Sequence, residues 1–308
     1  MVFLNSSYGI LRAEGNVKKT TYAMVLGAIL NIILDPLFIY YFSLGISGAA
    51  YASNLSMIII SIILVIWFKK ETYIKLSYKF FNFNKKIIKR LLHVGLPTGA
   101  EFFIFAMVTT VFNTLLIIVS GVQAVAVYSA GWRLVLFASV PLMAISLSVV
   151  PVIGVSYGKE KFHNFLIVRD YVIKIETLMA LIISISIFIF ANQIAFIFSY
   201  SNQAPIFFDE MVTFLRIACF FVLFLPVGSV IASMFQGLGR GFDSLILTFI
   251  RESLLIIIFA YLFSIVLKMD ENGVWIGLVV GTIVGALILF IYSQIFLKKF
   301  LKSKKNII

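Results

Sequence analysis

Eight stretches of this chain are continuously apolar over about 18 residues or more: 20–43, 46–68, 92–120, 123–157, 165–198, 207–237, 242–267 and 273–297. Hydrocarbon offers no water to an unpaired peptide group. Only helices and closed barrels can therefore cross it. Barrel strands need about 9–11 residues with alternating polarity, and these runs are longer and unbroken. The expected fold is an all-α integral membrane protein with eight transmembrane helices. Hydrophobic residues make up 62% of the chain and charged residues only 12%, a balance foreign to soluble domains. Residues 1–11 read as the tail of a further span. They lack the basic n-region and apolar length of a signal peptide.

A net charge of +12 raises the question of nucleic acid, but the charges are placed by topology. With the 71–91 linker on the cytoplasmic side, RAEGNVKK, YGKEKFHN, GLGRG and the tail KKFLKSKK fall on that side too. All of the 25 Lys and Arg except Arg133, Arg216, Arg251 and Lys268 then lie at or near the cytoplasmic face. The opposite turns carry Asp209, Glu210, Asp270 and Glu271. This is the positive-inside pattern of a multi-pass plasma-membrane protein with both termini cytoplasmic. Membrane lipid is the expected contact of the basic surplus, and no nucleic-acid partner is expected.

Two segments about 224 residues apart repeat one another. LRAEGNVKKTTYAMVLGAILNIILDP leads through GISGAAYASNLS to WFKK; FQGLGRGFDSLILTFIRESLLIIIFA leads through ENGVWIGLVVG to FLKK. Gly15 falls on Gly239, and Gly48 falls on Gly273 with a one-residue slip. Internal repeats of this kind mark two-fold transporter architectures. The expected organisation is a remnant of one lobe at 1–70, a linker at 71–91, a complete six-helix lobe at 92–299 and a basic tail at 300–308.

The ionisable residues inside the spans carry the functional information. Each costs about 2.5–3.5 kcal/mol at a helix centre on insertion scales. At about 1.5 Å per residue, Glu101 lies roughly 16 Å from Arg90, and Arg133 roughly 18 Å from Gly121. On the same scale Arg251 and Glu252 lie about 16–18 Å from Arg240. Half of a hydrocarbon core is about 15 Å. The four therefore share a depth at which two acids and two bases can neutralise one another. Arg251 and Glu252 have an equally good reading as a pin between helices, since neighbours on an α-helix point about 100° apart. Glu101 follows Pro97 in VGLPTGAEFF, where Gly95, Pro97 and Gly99 are expected to loosen the helix, a common setting for ion and substrate sites. Asn31 is also near the midplane. Asp35 and Pro36, nearer the outer interface, suit gating or bending as well as binding. Pro97, Pro141 and Pro226 are the other hinge candidates, since each removes a backbone hydrogen bond.

Other chemistries have little support. Cys219 is the single cysteine; His93 and His163 sit at a span edge and in a loop. No HExxH or P-loop pattern is present. The chain does not read as an enzyme, no cofactor is expected, and no metal ligand set is assigned beyond a possible sodium at Glu101.

Several runs resemble the multidrug and toxic compound extrusion (MATE) family. LRAEGN and NIILDPLFIYYFSLGISGAAYASNLS are similar to its fifth and sixth helices, and VGLPTGAEFFIF to the start of its seventh. AVAVYSAGWRLVLFASVPLMAISLSVVPVIGVSYGKEK resembles its eighth helix and following loop, and MFQGLGR the end of its tenth. The resemblance implies two six-helix lobes, of which this chain supplies helices five to twelve. It implies export of drugs or metabolites, small amphipathic cations among them, by sodium or proton antiport with alternating access. It also implies a cation site at the acid matching Glu101. Two features depart from the family. Its sodium-coupled branch has an aspartate where this chain reads VLFLPVGSVIAS, and the key aspartate of its proton-coupled branch lies on a first helix that this chain lacks. The coupling ion stays open between sodium and proton. Two alternatives stand beside the exporter. One is a lipid-linked oligosaccharide flippase of the same superfamily, with Arg133 and Arg251 receiving phosphate. The other is a truncated or split-gene fragment whose N-terminal half is a separate chain.

Overall fold

The computed structural model describes residues 1–70, 84–198 and 204–305, and all regular structure among them is helical. The chain divides into two compact units, Met1–Phe83 and Asn84–Ile308. Unit 1 holds α1 (Val2–Ala13), α2 (Val17–Pro36) with a π-helical continuation Leu37–Tyr41, and α3 (Gly45–Lys70). Every fourth residue of α3 from Gly48 to Phe68 is buried, a stripe that turns small residues and then Ile60, Leu64 and Phe68 inward. These meet Leu4, Leu11 and Ala23 in a small core, while apolar side chains such as Ile32, Ile33 and Ile62 face outward, as a lipid-facing surface requires.

Unit 2 begins with α4 (Lys85–Gly158), whose 74 residues contain one non-helical position, Gly121, at φ 81° and ψ −168°. A straight helix of that length would measure roughly 110 Å against a hydrocarbon core of about 30 Å. The Gly121 break makes it two arms, 85–120 and 122–158, that fold back on one another. Only glycine adopts this backbone conformation without strain. There follow α5 (Asn164–Phe198), α6 (Ala204–Gly237), α7 (Gly241–Phe249), α8 (Ile256–Tyr261) and α9 (Asp270–Lys305). The π-helical segments Ile250–Leu255 and Leu262–Val266 flank α8, so 241–266 forms one continuous rod. Among the described residues, seven helices are long and apolar enough to span a membrane. Counting the two arms of α4 separately, they match the eight apolar runs of the sequence.

In unit 2, α6 packs against α4, α5, α7 and α9, and is its most buried rod. One core surrounds Phe112, Trp132, Phe214 and Trp275; a second surrounds Ile153, Phe165, Met234, Phe235 and Leu297. Along α9, Gly273, Gly277, Gly281 and Gly285 lie directly on the backbone or side-chain stem of the 251–264 rod.

The internal repeat is present in the backbone. Asn16 N–H donates to Leu11 O and Gly15 N–H to Arg12 O; Arg240 N–H donates to Phe235 O and Gly239 N–H to Gln236 O. Both sets close a helix through a left-handed glycine, Gly15 at φ 82° and Gly239 at φ 72°. Downstream, the π segment Leu37–Tyr41 matches Leu262–Val266, and Gly48 against Phe38 matches Gly273 against Phe263. The one-residue slip lies between these landmarks. The second copy carries an additional π segment, Ile250–Leu255, for which α2 has none. A π turn accommodates one more residue than an α turn, and such bulges concentrate at functional sites. The inserted turn here carries Arg251 and Glu252.

Candidate functional site

The polar residues of unit 2 converge from five helical segments. Glu101, on the first arm of α4, accepts hydrogen bonds from Ser244 Oγ of α7 at 2.9 Å and from Gln236 Nε2 of α6 at 3.1 Å. Glu176 is fully buried on α5 and accepts from Ser146 Oγ of the second arm of α4 at 2.8 Å and from Ser229 Oγ of α6 at 3.2 Å. The π turn carries Arg251, whose Nη2 is ion-paired to Glu252 Oε1.

Arg251 is buried because the sequence makes a seat for it. A side chain at Gly228 of α6 would collide with the guanidinium, and one at Gly285 of α9 would meet the Arg251 Cγ at 2.6 Å. The guanidinium is not fully satisfied: its Nε is buried without a hydrogen-bond partner among the described residues. A buried donor left in that state costs about 1–3 kcal/mol. Glu252 is ion-paired with Arg251, whereas the partners of Glu101 and Glu176 are hydroxyl and amide groups. Serine and amide donors can offset part of the cost of burying a carboxylate, but they carry no positive charge. Among the described residues no group of three or more His, Cys, Asp and Glu is placed to hold a metal ion. The oxygens present suit a hard monovalent ion rather than a transition metal.

Unit 1 has a smaller polar place. Asn31 Nδ2 donates to Asp35 Oδ1 at 3.3 Å and to Ser53 Oγ at 3.2 Å, joining α2 to α3. Asn31 and Ser53 open on a cleft of about 300 Å³, lined also by Leu4, Tyr8, Gly27 and Ile60. Pro36 ends α2 immediately before the π segment, so the chain changes helical pitch beside Asp35.

The other residues singled out in the sequence are placed as follows. Arg133 is exposed on the second arm of α4 and has no part in the contacts around Glu101 or Glu176. Pro97 is buried, and the helix runs through Gly95, Pro97 and Gly99 without interruption; the break at Gly121 falls between the apolar runs 92–120 and 123–157. Pro141 is exposed within its helix, and Pro226 is buried three residues before Ser229. Arg169, which the charge pattern assigns to the cytoplasmic fringe, is fully buried. It pairs with Asp170 at 2.7 Å, donates to Ser293 at 3.1 Å and lies 5.3 Å from the centre of the Phe290 ring. Glu176, Gln236, Ser146, Ser229 and Ser244 are the site residues that the sequence reading missed. Glu176 was within reach of the same depth ruler, being roughly 18 Å past Asn164 at about 1.5 Å per residue. The serines carried no such signal, since hydroxyls are common within membrane helices.

A helical membrane protein of many spans, built on an internal repeat and holding ionisable groups inside one bundle, falls in the class of transporters. The comparisons name the family. The family model described as MatE matches residues 97–262. A solved structure of MATE in complex with MaL6 is 35% identical, with a TM-score of 0.93, over 98% of this chain and 67% of that one. An outward-facing multidrug resistance MATE transporter of the MOP superfamily is 34% identical with a TM-score of 0.93. Multidrug export protein MepA of Staphylococcus aureus is 25% identical over 266 residues, and that of Staphylococcus saprophyticus 28%. The chain belongs to the MATE family, whose members are transporters and not enzymes. It spans 58% of the length of the curated relatives it matches.

Proposed function

We propose that this chain takes part in exporting small amphipathic organic cations across the plasma membrane, in exchange for sodium ions or protons, by alternating access. The observation that carries this reading is the charge imbalance inside unit 2. Of three acids in a helical bundle read as membrane-embedded, Glu252 is ion-paired with Arg251, while Glu101 and Glu176 are held by serine and amide donors that carry no charge. Carboxylates left without countercharge in that medium favour whichever cation reaches them. A coupling cation and a cationic substrate that use the same carboxylates exclude one another, and that exclusion is the elementary requirement of antiport. A ligand shifts the two access states only through its different affinity for them, so the carboxylates must be bound differently in each.

Within this reading, 92–299 is a complete six-helix lobe, 1–70 belongs to the partner lobe, and both termini face the cytoplasm. Glu101 is the exchanging carboxylate, being half-exposed where Glu176 is closed off. Asn31, Asp35 and Ser53 are proposed to receive the cationic head of a substrate in unit 1, with Pro36 and the adjoining π segment as the point of bending. Relatives named as multidrug exporters support the substrate class.

The test is efflux of a fluorescent organic cation from proteoliposomes under imposed sodium and proton gradients. Glu101→Gln, folded as judged by monodispersity, is expected to lose gradient-driven efflux. Unchanged efflux in that variant removes Glu101 from the mechanism.

A further inference from the structure

Glu176 is fully buried on α5; Ser146, beside it on the second arm of α4, is buried too, and Ser229 on α6 is half-buried. The hydrogen bonds of this group can be counted proton by proton. The Ser146 hydroxyl lies 2.8 Å from Glu176 Oε2 and 2.9 Å from Oε1, and its one proton can serve only one of them. The Ser229 hydroxyl lies 3.2 Å from Glu176 Oε1, 3.1 Å from Leu225 O and 3.1 Å from Pro226 O. Its one proton has three acceptors. An ionised Glu176 only accepts, with about four lone-pair sites, and would find at most two hydroxyl protons for them. An ion buried with so few donors is costly. No base offsets that cost by pairing with it. Arg169, on the same helix, is paired with Asp170, and Lys174 is only two residues away and so on another side of α5. Arg133 of the second arm of α4 is exposed, Arg216 of α6 lies over the Phe188 ring, and Arg251 is paired with Glu252.

One more proton closes the count. As a carboxylic acid, Glu176 donates from Oε1 to Ser229 Oγ, Ser229 donates to Leu225 O or Pro226 O, and Ser146 donates to Oε2. Each donor then has its own acceptor. The place on α6 gives this chain a consequence. Pro226 has no N–H, so Val222 O lacks the donor that a regular helix supplies four residues on. Ser229 stands one turn beyond that gap. Ser184 Oγ of α5 makes a second tie to the same helix, donating to Cys219 O at 2.8 Å. Gln236, which holds Glu101, follows Ser229 by seven residues, about 10 Å along the rod.

We propose that Glu176 is a resident carboxylic acid, whose proton turns the Ser229 hydroxyl onto the α6 backbone beside Pro226 and so sets the course of α6 toward Gln236 and Glu101. Glu176 is a positioning residue. It touches no exchanged cation, and the cation it holds is its own proton. Removing that proton reverses the chain of bonds: Ser229 turns to the carboxylate, and the carbonyls at the proline lose its hydroxyl. The bend of α6 is thereby tied to one proton held between α5 and α6.

The test reads the acid itself and needs no transport, so it can fail while the exchange reading stands, and the reverse. Infrared spectra of the purified, reconstituted chain at neutral pH are expected to contain a carboxylic-acid carbonyl band that shifts downward in heavy water, survives Glu101→Gln and disappears in Glu176→Gln. Loss of a carboxylate band in Glu176→Gln, with the acid region unchanged, overturns the proposal. Ser229→Ala removes the acceptor of the acid's proton and is expected to shift the same band; a band unmoved there also overturns it. Thermal unfolding separates the hydrogen bond from mere filling. Glutamine can donate to Ser229 and accept from Ser146 as the neutral acid does, so Glu176→Gln is expected to melt close to wild type. Glu176→Met, of similar length but without a donor, is expected to melt several degrees lower. Equal midpoints for the two variants refute the positioning role. Failure to recover Glu176→Gln folded refutes it as well, because a neutral acid must be replaceable by its neutral mimic.

Discussion

Replacing Gly281 by alanine tests the packing on which the inserted turn depends. The added Cβ would lie 2.6 Å from Ile256 Cα, 2.8 Å from Ile256 N and 3.0 Å from Ile256 Cγ1. Carbon atoms at their optimum sit about 3.5–4.0 Å apart, so α9 and the 251–264 rod must separate by about 1 Å. Backbone cannot yield as a flexible side chain does. The separation also loosens Gly285 from the Arg251 stem one turn along. Overpacking of this kind costs about 1–3 kcal/mol, while exchanging glycine for alanine inside a helix returns about 0.8–1.0 kcal/mol. Opposed, the two leave a net loss of up to about 2 kcal/mol, or a few degrees in unfolding midpoint for a unit of this size. Trp275, buried on the same helix, provides the fluorescence signal for detergent-solubilised protein. Gly99→Ala is the control, because nothing lies within 4 Å of its added Cβ. The account requires Gly281→Ala to melt below wild type and Gly99→Ala to melt at or above it. If both variants rise together, the close approach of α9 is not structural and the reasoning fails.

Further consequences follow from the same geometry. Gly48→Ala should destabilise unit 1 as Gly273→Ala does unit 2, because its Cβ would lie 2.6 Å from Phe38 O; proteolysis of the two variants gives the comparison. Gly121→Ala meets nothing within 4 Å, so its cost is the backbone strain alone, about 1–3 kcal/mol, read as a lowered midpoint without loss of compactness on gel filtration. Arg169→Ala should cost about 1–3 kcal/mol, since it abandons buried Ser293 and the Phe290 face, while the half-exposed Asp170 is rehydrated. A yield equal to that of a surface Lys→Ala variant would contradict that estimate.

The fold was legible wherever the bilayer dictates composition. Apolar length marked the spans, and Gly15 with Gly239 marked a repeated cap that the backbone bears out. Pro97 lies in a continuous helix, and the chain turns at Gly121, between two of the apolar runs, where left-handed backbone is required. The site was legible only in part. Depth counting finds single ionisable residues, but partners such as Ser146 for Glu176 or Gln236 for Glu101 come from helices far apart in sequence. The pairing of Arg251 with Glu252 was illegible for a different reason. The α-helical wheel sets neighbours about 100° apart, and the π turn that changes this left no composition signal. It left only the one-residue slip between two copies, readable as an insertion once the flanking hydrogen bonds are aligned. Arg169 shows the converse limit, where a residue in a basic fringe is buried because Phe290 and Ser293 on α9 receive it.

The central claim is that substrate and coupling cation contend for the carboxylates of unit 2. The most direct measurement is release of bound cation when a fluorescent organic cation is added to the purified, reconstituted chain. Proton release is followed in weak buffer, and sodium release by isotope. The account predicts that binding displaces a cation, and that the displacement is lost in Glu101→Gln while the protein stays folded. Binding of the organic cation with no proton or sodium released, in wild type and variant alike, would contradict it.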